Sequence, residues 1–295
     1  MSDMLLKGCG TALVTPFTED GGIDTAAYAA LIDRQVAAGV DFLVPLATTG
    51  ETPSLSASEK LALMEIAVSH AAGRPLLVGC GSNSFNATLD NMELLDGHGV
   101  DAWLVVVPYY NKPTQEGQYR YFRAVAAATD KPIVIYNVPG RTGANMTADT
   151  CIRLANECEN IIAIKEASGN YAQVSEIIRR APEGFAVLSG DDDMTFAFMA
   201  TGAHGVISVA SNAFPAEVAE MTHRAAAGDY AGARELHHRL FPFFKACFVE
   251  SNPIPVKAAL EIMGQMRSDV RLPLAPASQH TKDIMNQLIG ELCQK

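Results

Sequence analysis

The sequence is short of cations, short of cysteine and free of long apolar runs. Twenty-two lysines and arginines face 33 aspartates and glutamates, for a formal net charge of −11. A chain this acidic is not built to hold nucleic acid or an anionic membrane. An anionic small substrate stays open, provided a few cations are placed locally. No apolar stretch reaches the ~18–20 residues of a membrane-spanning helix. The opening stretch, Met1 to Lys7, lacks the apolar core of a secretory signal, so a cytoplasmic location is expected. The six cysteines, at 9, 80, 151, 158, 247 and 293, form no CxxC pair and are expected as reduced core thiols. The histidines are dispersed, and His237-His238 lacks metal-ligand spacing, so no metal is expected. Gly8-Cys9-Gly10 and Gly79-Cys80-Gly81 both lack the third glycine of a dinucleotide fingerprint, and no Walker A sequence occurs.

What the chain does have is one unit repeated. Short apolar stretches at 10–15, 42–47, 75–80, 102–108, 132–138, 161–166, 185–189 and 205–210 read as strands. Between them lie Ala- and Leu-rich segments with helical spacing, such as Thr25 to Ala38, Thr147 to Asn156 and Asn170 to Arg180. Ser56 to Ala72 opens with a capping box, Ser56-Ala57-Ser58-Glu59. Eight βα units predict an α/β protein, a (β/α)8 TIM barrel spanning residues 1–228. Residues 229–295, with helical segments at 229–248, 253–264 and 277–293, are expected as a small helical C-terminal extension.

One strand carries a lysine. In Ile161-Ile162-Ala163-Ile164-Lys165, alternation puts Ala163, Lys165 and Ala167 on one face. The ordinary reading is a strand-end lysine that reaches water or pairs with Glu166. The alternative is a nucleophilic amine, its pKa lowered by an apolar setting so that it condenses with a carbonyl. The other strand ends bear on the choice. They read Thr48-Thr49-Gly50-Glu51, Pro108-Tyr109-Tyr110-Asn111, Tyr136-Asn137-Val138-Pro139-Gly140-Arg141 and Ser189-Gly190-Asp191-Asp192-Asp193. In a (β/α)8 barrel all of these fall at one mouth. Singly they are turn residues, packing tyrosines, a loop cation and, at Asp191 to Asp193, helix-capping carboxylates. Together, one lysine, tyrosines, hydroxyls and an arginine suit Schiff-base chemistry, in which a proton is taken up and water expelled.

The motifs TTGE (48–51), PYYN (108–111), YNVPGRTG (136–143), IKEASGN (164–170), SGDD (189–192), AHGVISV (203–209) and NPIPVK (252–257) resemble, in order, those of the dihydrodipicolinate synthase family of pyruvate-dependent class I aldolases. Pro45 and Ala47 depart from the glycine-containing entry to TTGE. The resemblance implies that Lys165 forms an imine with pyruvate and that Tyr136, Thr48 and Tyr110 relay protons, Tyr110 reaching in from a neighbouring subunit. It implies that Thr49 holds the pyruvate carboxylate, Ile207 contacts pyruvate through its backbone, and Gly190 belongs to the substrate-binding set. Arg141 would receive the carboxylate of L-aspartate 4-semialdehyde. No cofactor is implied, and a homotetramer built as a dimer of dimers is. The alternatives are an aldolase of a sialic acid or 2-keto-3-deoxy sugar acid and, further off, a non-catalytic keto-acid sensor. Many relatives bind lysine, the pathway's end product, at the subunit interface. Here Ala57 and Ala87 stand where a histidine and a glutamate usually do, so weak or no lysine inhibition is expected.

Overall fold

The computed structural model describes residues 6–293. Its strands are β1 (Gly8–Ala12), β2 (Phe42–Val44), β3 (Leu77–Gly79), β4 (Ala102–Val106), β5 (Ile133–Asn137), β6 (Ile161–Glu166), β7 (Ala186–Ser189) and β8 (Gly205–Ser208), with helices between them. All paired neighbours are parallel, in the order β2-β1-β8-β7-β6-β5-β4-β3. The two edges meet. Leu43 and Leu76 form a parallel bridge, Leu43 N donates to Pro75 O at 2.9 Å, and Gly79 N donates to Pro45 O at 3.1 Å. The sheet therefore closes into the expected barrel.

Several strands stop short of their apolar runs, for reasons visible in the backbone. The run 42–47 leaves the sheet after Val44 because Leu46 turns left-handed, with φ 55°, and a 3₁₀ turn follows at Thr48–Gly50. The first strand covers 8–12 rather than 10–15. The run 205–210 ends at Ser208 because the Val209 and Ala210 N–H groups turn to the Asp192 carboxylate, at 3.0 and 3.1 Å. Each departure bends the chain at the mouth of the barrel, where side chains can be re-aimed.

Two apolar layers fix the barrel. Inside it, Leu6, Phe42, Val44, Leu104, Val134 and Leu188 pack together. Gly10 is required there, since a Cβ on it would lie 2.0 Å from the Phe42 ring. Outside, the strands' other faces pack against the ring of helices through Ile32, Leu63, Phe122, Ile164 and Val218. The capping box read at Ser56 is formed, with Ser56 N donating to the Glu59 carboxylate at 2.8 Å.

The helix Pro215–Ala226 packs against β1 and completes the ring. The helices Tyr230–Ala246, Ile254–Ile262 and Gln279–Cys293 follow as an extension, and a turn at 227–229 separates them from the barrel. Among the described residues no helix is long and apolar enough to cross a membrane. The cysteines are unpaired, five of them buried and Cys293 exposed.

Candidate active site

Strand register brings the two central residues together. β5 and β6 pair with Tyr136 opposite Lys165. Both side chains point into the barrel, where Lys165 is 5% and Tyr136 7% exposed. The Lys165 Nζ sits 4.3 Å from the centre of the Tyr136 ring. Ala163, on the same strand face, is fully buried and adds no bulk beside the amine. Gly190 closes the other side: a Cβ there would come within 3.1 Å of Lys165 Cε and 2.6 Å of Ala167 Cβ.

The anticipated pairing of Lys165 with Glu166 is not made. The next register pair, Asn137 with Glu166, faces outward. There the Glu166 carboxylate accepts hydrogen bonds from Asn137 Nδ2, Gln173 Nε2 and Ser168 N, each at 3.0 Å. Alternation along the strand sends the two side chains to opposite faces, so the amine is left without that partner.

Burial dominates the lysine's chemistry. Desolvation brings its pKa down to about 8, against the pull of Asp191 and Asp192 and with help from Arg141. At pH 7 about one amine in ten is then neutral, against roughly one in a few thousand for a free lysine. Burial pushes the Tyr136 phenol up to about 12, opposed by the Arg141 charge and by the Thr48 hydroxyl beside it. The phenol therefore stays protonated and is a proton donor at neutral pH. Asp191 is pushed up to about 6, by burial and by neighbouring Asp193.

The run Asp191 to Asp193 does not cap the next helix. No side-chain cap bond is made at the 3₁₀ turn Asp192–Met194 or at the helix Thr195–Ala200. Instead Asp192 holds the end of β8, and Asp193 pairs with Lys245 of the extension at 3.2 Å. The buried N–H groups that β8 leaves behind outcompete the helix terminus for the carboxylate.

Two hollows meet at the mouth. One, of about 290 Å³, is lined by Thr48, Lys60, Tyr109, Tyr136 and Arg141 among others. The other, of about 260 Å³, is lined by Thr48, Arg141, Asn252 and Arg271 among others. Thr48 and Arg141 border both; Lys165, Thr49, Gly190 and Ile207 line neither. Thr49 is buried, and its Oγ1 accepts from Asn252 Nδ2 at 2.9 Å. Ile207 is fully buried inside the barrel on β8, in register with Gly10. Tyr110 stands apart. It is 87% exposed, with φ 70°, and does not line either hollow. The Lys60 ammonium, held 3.2 Å from Asn91 Oδ1, lines the first hollow.

Sequence reasoning missed one part of the site. NPIPVK lies in the extension, yet it reaches the TTGE turn. Lys257 is fully buried, 2.7 Å from Glu51 Oε1 and 2.9 Å from Thr15 O. Asn252 touches Thr49, and its main-chain O accepts from Arg141 Nη2 at 3.4 Å. The available signal was a lysine inside the apolar run Ile254-Pro255-Val256-Lys257-Ala258-Ala259-Leu260, the same kind of oddity that singles out Lys165.

The chain as a whole has close counterparts among known proteins. A relative from Phocaeicola vulgatus named 4-hydroxy-tetrahydrodipicolinate synthase is 49% identical over 288 residues, 97% of each chain. One from Parabacteroides distasonis, of the same name, is 47% identical over the full length of both. The crystal structure of dihydrodipicolinate synthase from Thermotoga maritima superposes with a TM-score of 0.96 at 41% identity, covering 98% of this chain and 99% of that one. The model of the Dihydrodipicolinate synthetase family matches residues 5–292. Architecture and full-length similarity agree: the chain belongs to the dihydrodipicolinate synthetase family.

Proposed function

We propose that the chain catalyses the 4-hydroxy-tetrahydrodipicolinate synthase reaction, the condensation of pyruvate with L-aspartate 4-semialdehyde on the route to diaminopimelate and lysine. One observation carries the reading: a buried lysine, its pKa brought down to about 8, held 4.3 Å from a protonated tyrosine at the mouth of a barrel. Relatives of that name, similar over their whole length, support it.

In this reading the neutral Lys165 amine attacks C2 of pyruvate. Tyr136 delivers a proton to the departing oxygen, water leaves, and an imine remains. Loss of a methyl proton gives the enamine, whose carbon attacks the aldehyde. The second substrate's own amine then attacks the imine carbon, closing the ring and releasing Lys165. The protonated imine is itself the electron sink for that step, so the reaction calls for no metal or organic cofactor. Thr48, beside the phenol, passes protons outward. Thr49, Ile207 and Gly190 line the pyruvate position, and Arg141 meets the carboxylate of the second substrate.

Tyr110, exposed on a strained turn, completes the relay in a neighbouring subunit of a cytoplasmic homotetramer. A sugar-acid aldolase fits less well. Its polyol substrate offers hydroxyls where Arg141 presents a fork suited to a carboxylate. Pyruvate with borohydride should add one reduced pyruvyl group to Lys165, and the untreated enzyme with pyruvate should consume aspartate semialdehyde in preference to sugar aldehydes. Labelling elsewhere, or no labelling, refutes the reading.

A further inference from the structure

The mouth of the barrel is not built by the barrel alone. Asn252 belongs to the extension, yet it is only 6% exposed and lies against two residues of the site. Its Nδ2 donates to Thr49 Oγ1 at 2.9 Å, a buried contact spanning 203 positions of sequence. Its main-chain O accepts from Arg141 at 3.4 Å. Its Oδ1 is buried with no partner. The pairing is therefore one-sided: an amide nitrogen can only donate.

We propose that Asn252 is a positioning residue that fixes the direction of the Thr49 hydroxyl. A threonine hydroxyl has one proton and two acceptor sites. With one acceptor site taken by the Asn252 amide, the proton is turned away from the extension. On the reading of the site given above, that direction is the bound keto acid's carboxylate, and the hydrogen bond to it is charge-assisted. The opposite amide orientation would bring Oδ1 to Thr49 and claim the proton.

The turn that carries Thr49 is held rigid, so the hydroxyl has little else to do. Thr15 Oγ1 donates to Gly50 O at 2.8 Å, and Thr52 Oγ1 donates to Ala47 O at 2.9 Å. Glu51, at φ 54°, is tied to Lys257. With the backbone fixed, the side-chain rotor is the remaining freedom, and Asn252 narrows it. The inference rests on the proposed function and assigns to Asn252 the selection of a carboxylate-bearing keto acid in the first half-reaction.

A double-mutant cycle tests it on the full-length protein. Asn252→Ala and Thr49→Val are made singly and together. The pyruvate concentration for half-maximal borohydride trapping on Lys165 is read for each, with kcat at saturating pyruvate and circular dichroism alongside. Each single change should raise that concentration about tenfold, the scale of a hydrogen bond to a charged group. For Asn252→Ala the loss should fall on that concentration more than on saturated kcat, because the contact is made in binding. The double variant should be no worse than Thr49→Val, since Asn252 has no hydroxyl left to direct. Should Asn252→Ala fold poorly, Asn252→Asp replaces it. An acceptor-only side chain claims the Thr49 proton, and its effect should likewise vanish in the Thr49→Val background. Additive effects in a protein whose wild type is labelled overturn the role of Asn252 alone. A wild type that pyruvate and borohydride leave unlabelled overturns it together with the proposed function.

Discussion

Replacing Lys165 by methionine should make the protein more stable at neutral pH. The lysine is 5% exposed, has no carboxylate within salt-bridge distance among the described residues, and is brought down to about 8 chiefly by burial. In the unfolded chain the same group titrates near its ordinary value of ~10.4. Below pH 8 both states carry the ammonium, and the folded one bears the full desolvation cost. Between 8 and 10.4 the unfolded chain binds more protons than the folded one, so stability rises with pH. Above both values the cost is gone. The gap of about two and a half pH units corresponds to about 3 kcal/mol at ~1.4 kcal/mol per unit. Lost contact with the Tyr136 ring offsets part of this, leaving an expected gain of about 1–3 kcal/mol at pH 7. Urea unfolding of wild type and Lys165→Met from pH 6 to 10.5 measures it; groups that do not interact with Lys165 cancel in the difference, while Asp191 and Asp192 lose its attraction and are pushed further up, chiefly at the acid end of the range. A variant no more stable than wild type at pH 7, or a difference that fails to shrink by pH 10.5, would show that the amine is neither desolvated nor depressed.

Tyr136→Phe should lower kcat by ~10²–10⁴ with the fold intact, measured by steady-state kinetics and circular dichroism; unchanged kcat would hand the proton to another group. Arg141→Ala should raise the KM for aspartate semialdehyde by more than about tenfold while borohydride trapping of pyruvate falls far less. Equal loss in both half-reactions would make Arg141 a brace. Free lysine titrated to millimolar at saturating pyruvate should inhibit weakly or not at all. The Lys60 ammonium lining the first hollow repels a cation, and Ala57 and Ala87 supply no carboxylate to offset it.

The barrel was legible because each βα unit carries its own apolar period, and eight short runs need no long-range information to be counted. Their ends were less legible. Nothing local in Val209-Ala210 says that Asp192 will take their N–H groups, 17 and 18 residues away. The same cause misassigned Asp191 to Asp193 as helix caps: a carboxylate run reads alike whether it faces a helix terminus or a broken strand. Lys165 and Tyr136 were legible individually as odd residues at strand ends, and register does the rest. The interaction of Asn252 with Thr49 was not, because it joins segments 203 positions apart through one amide.

The buried pair of Lys257 and Glu51 makes the extension inseparable from the chemistry at the opposite end of the sequence. A chimera that grafts another protein's last helices onto this barrel inherits an obligation at single-residue resolution. Without an ammonium at the position of Lys257, Glu51 is a buried anion that has lost its ion pair and keeps only the Arg271 main-chain N–H at 3.0 Å, at a cost of up to about 3–5 kcal/mol. Glu51 sits on the turn next to Thr48 and Thr49, so the strain is delivered to the site itself. Trimming the chain back to its eight βα units would leave a barrel that looks complete and has lost the hand that steadies its mouth.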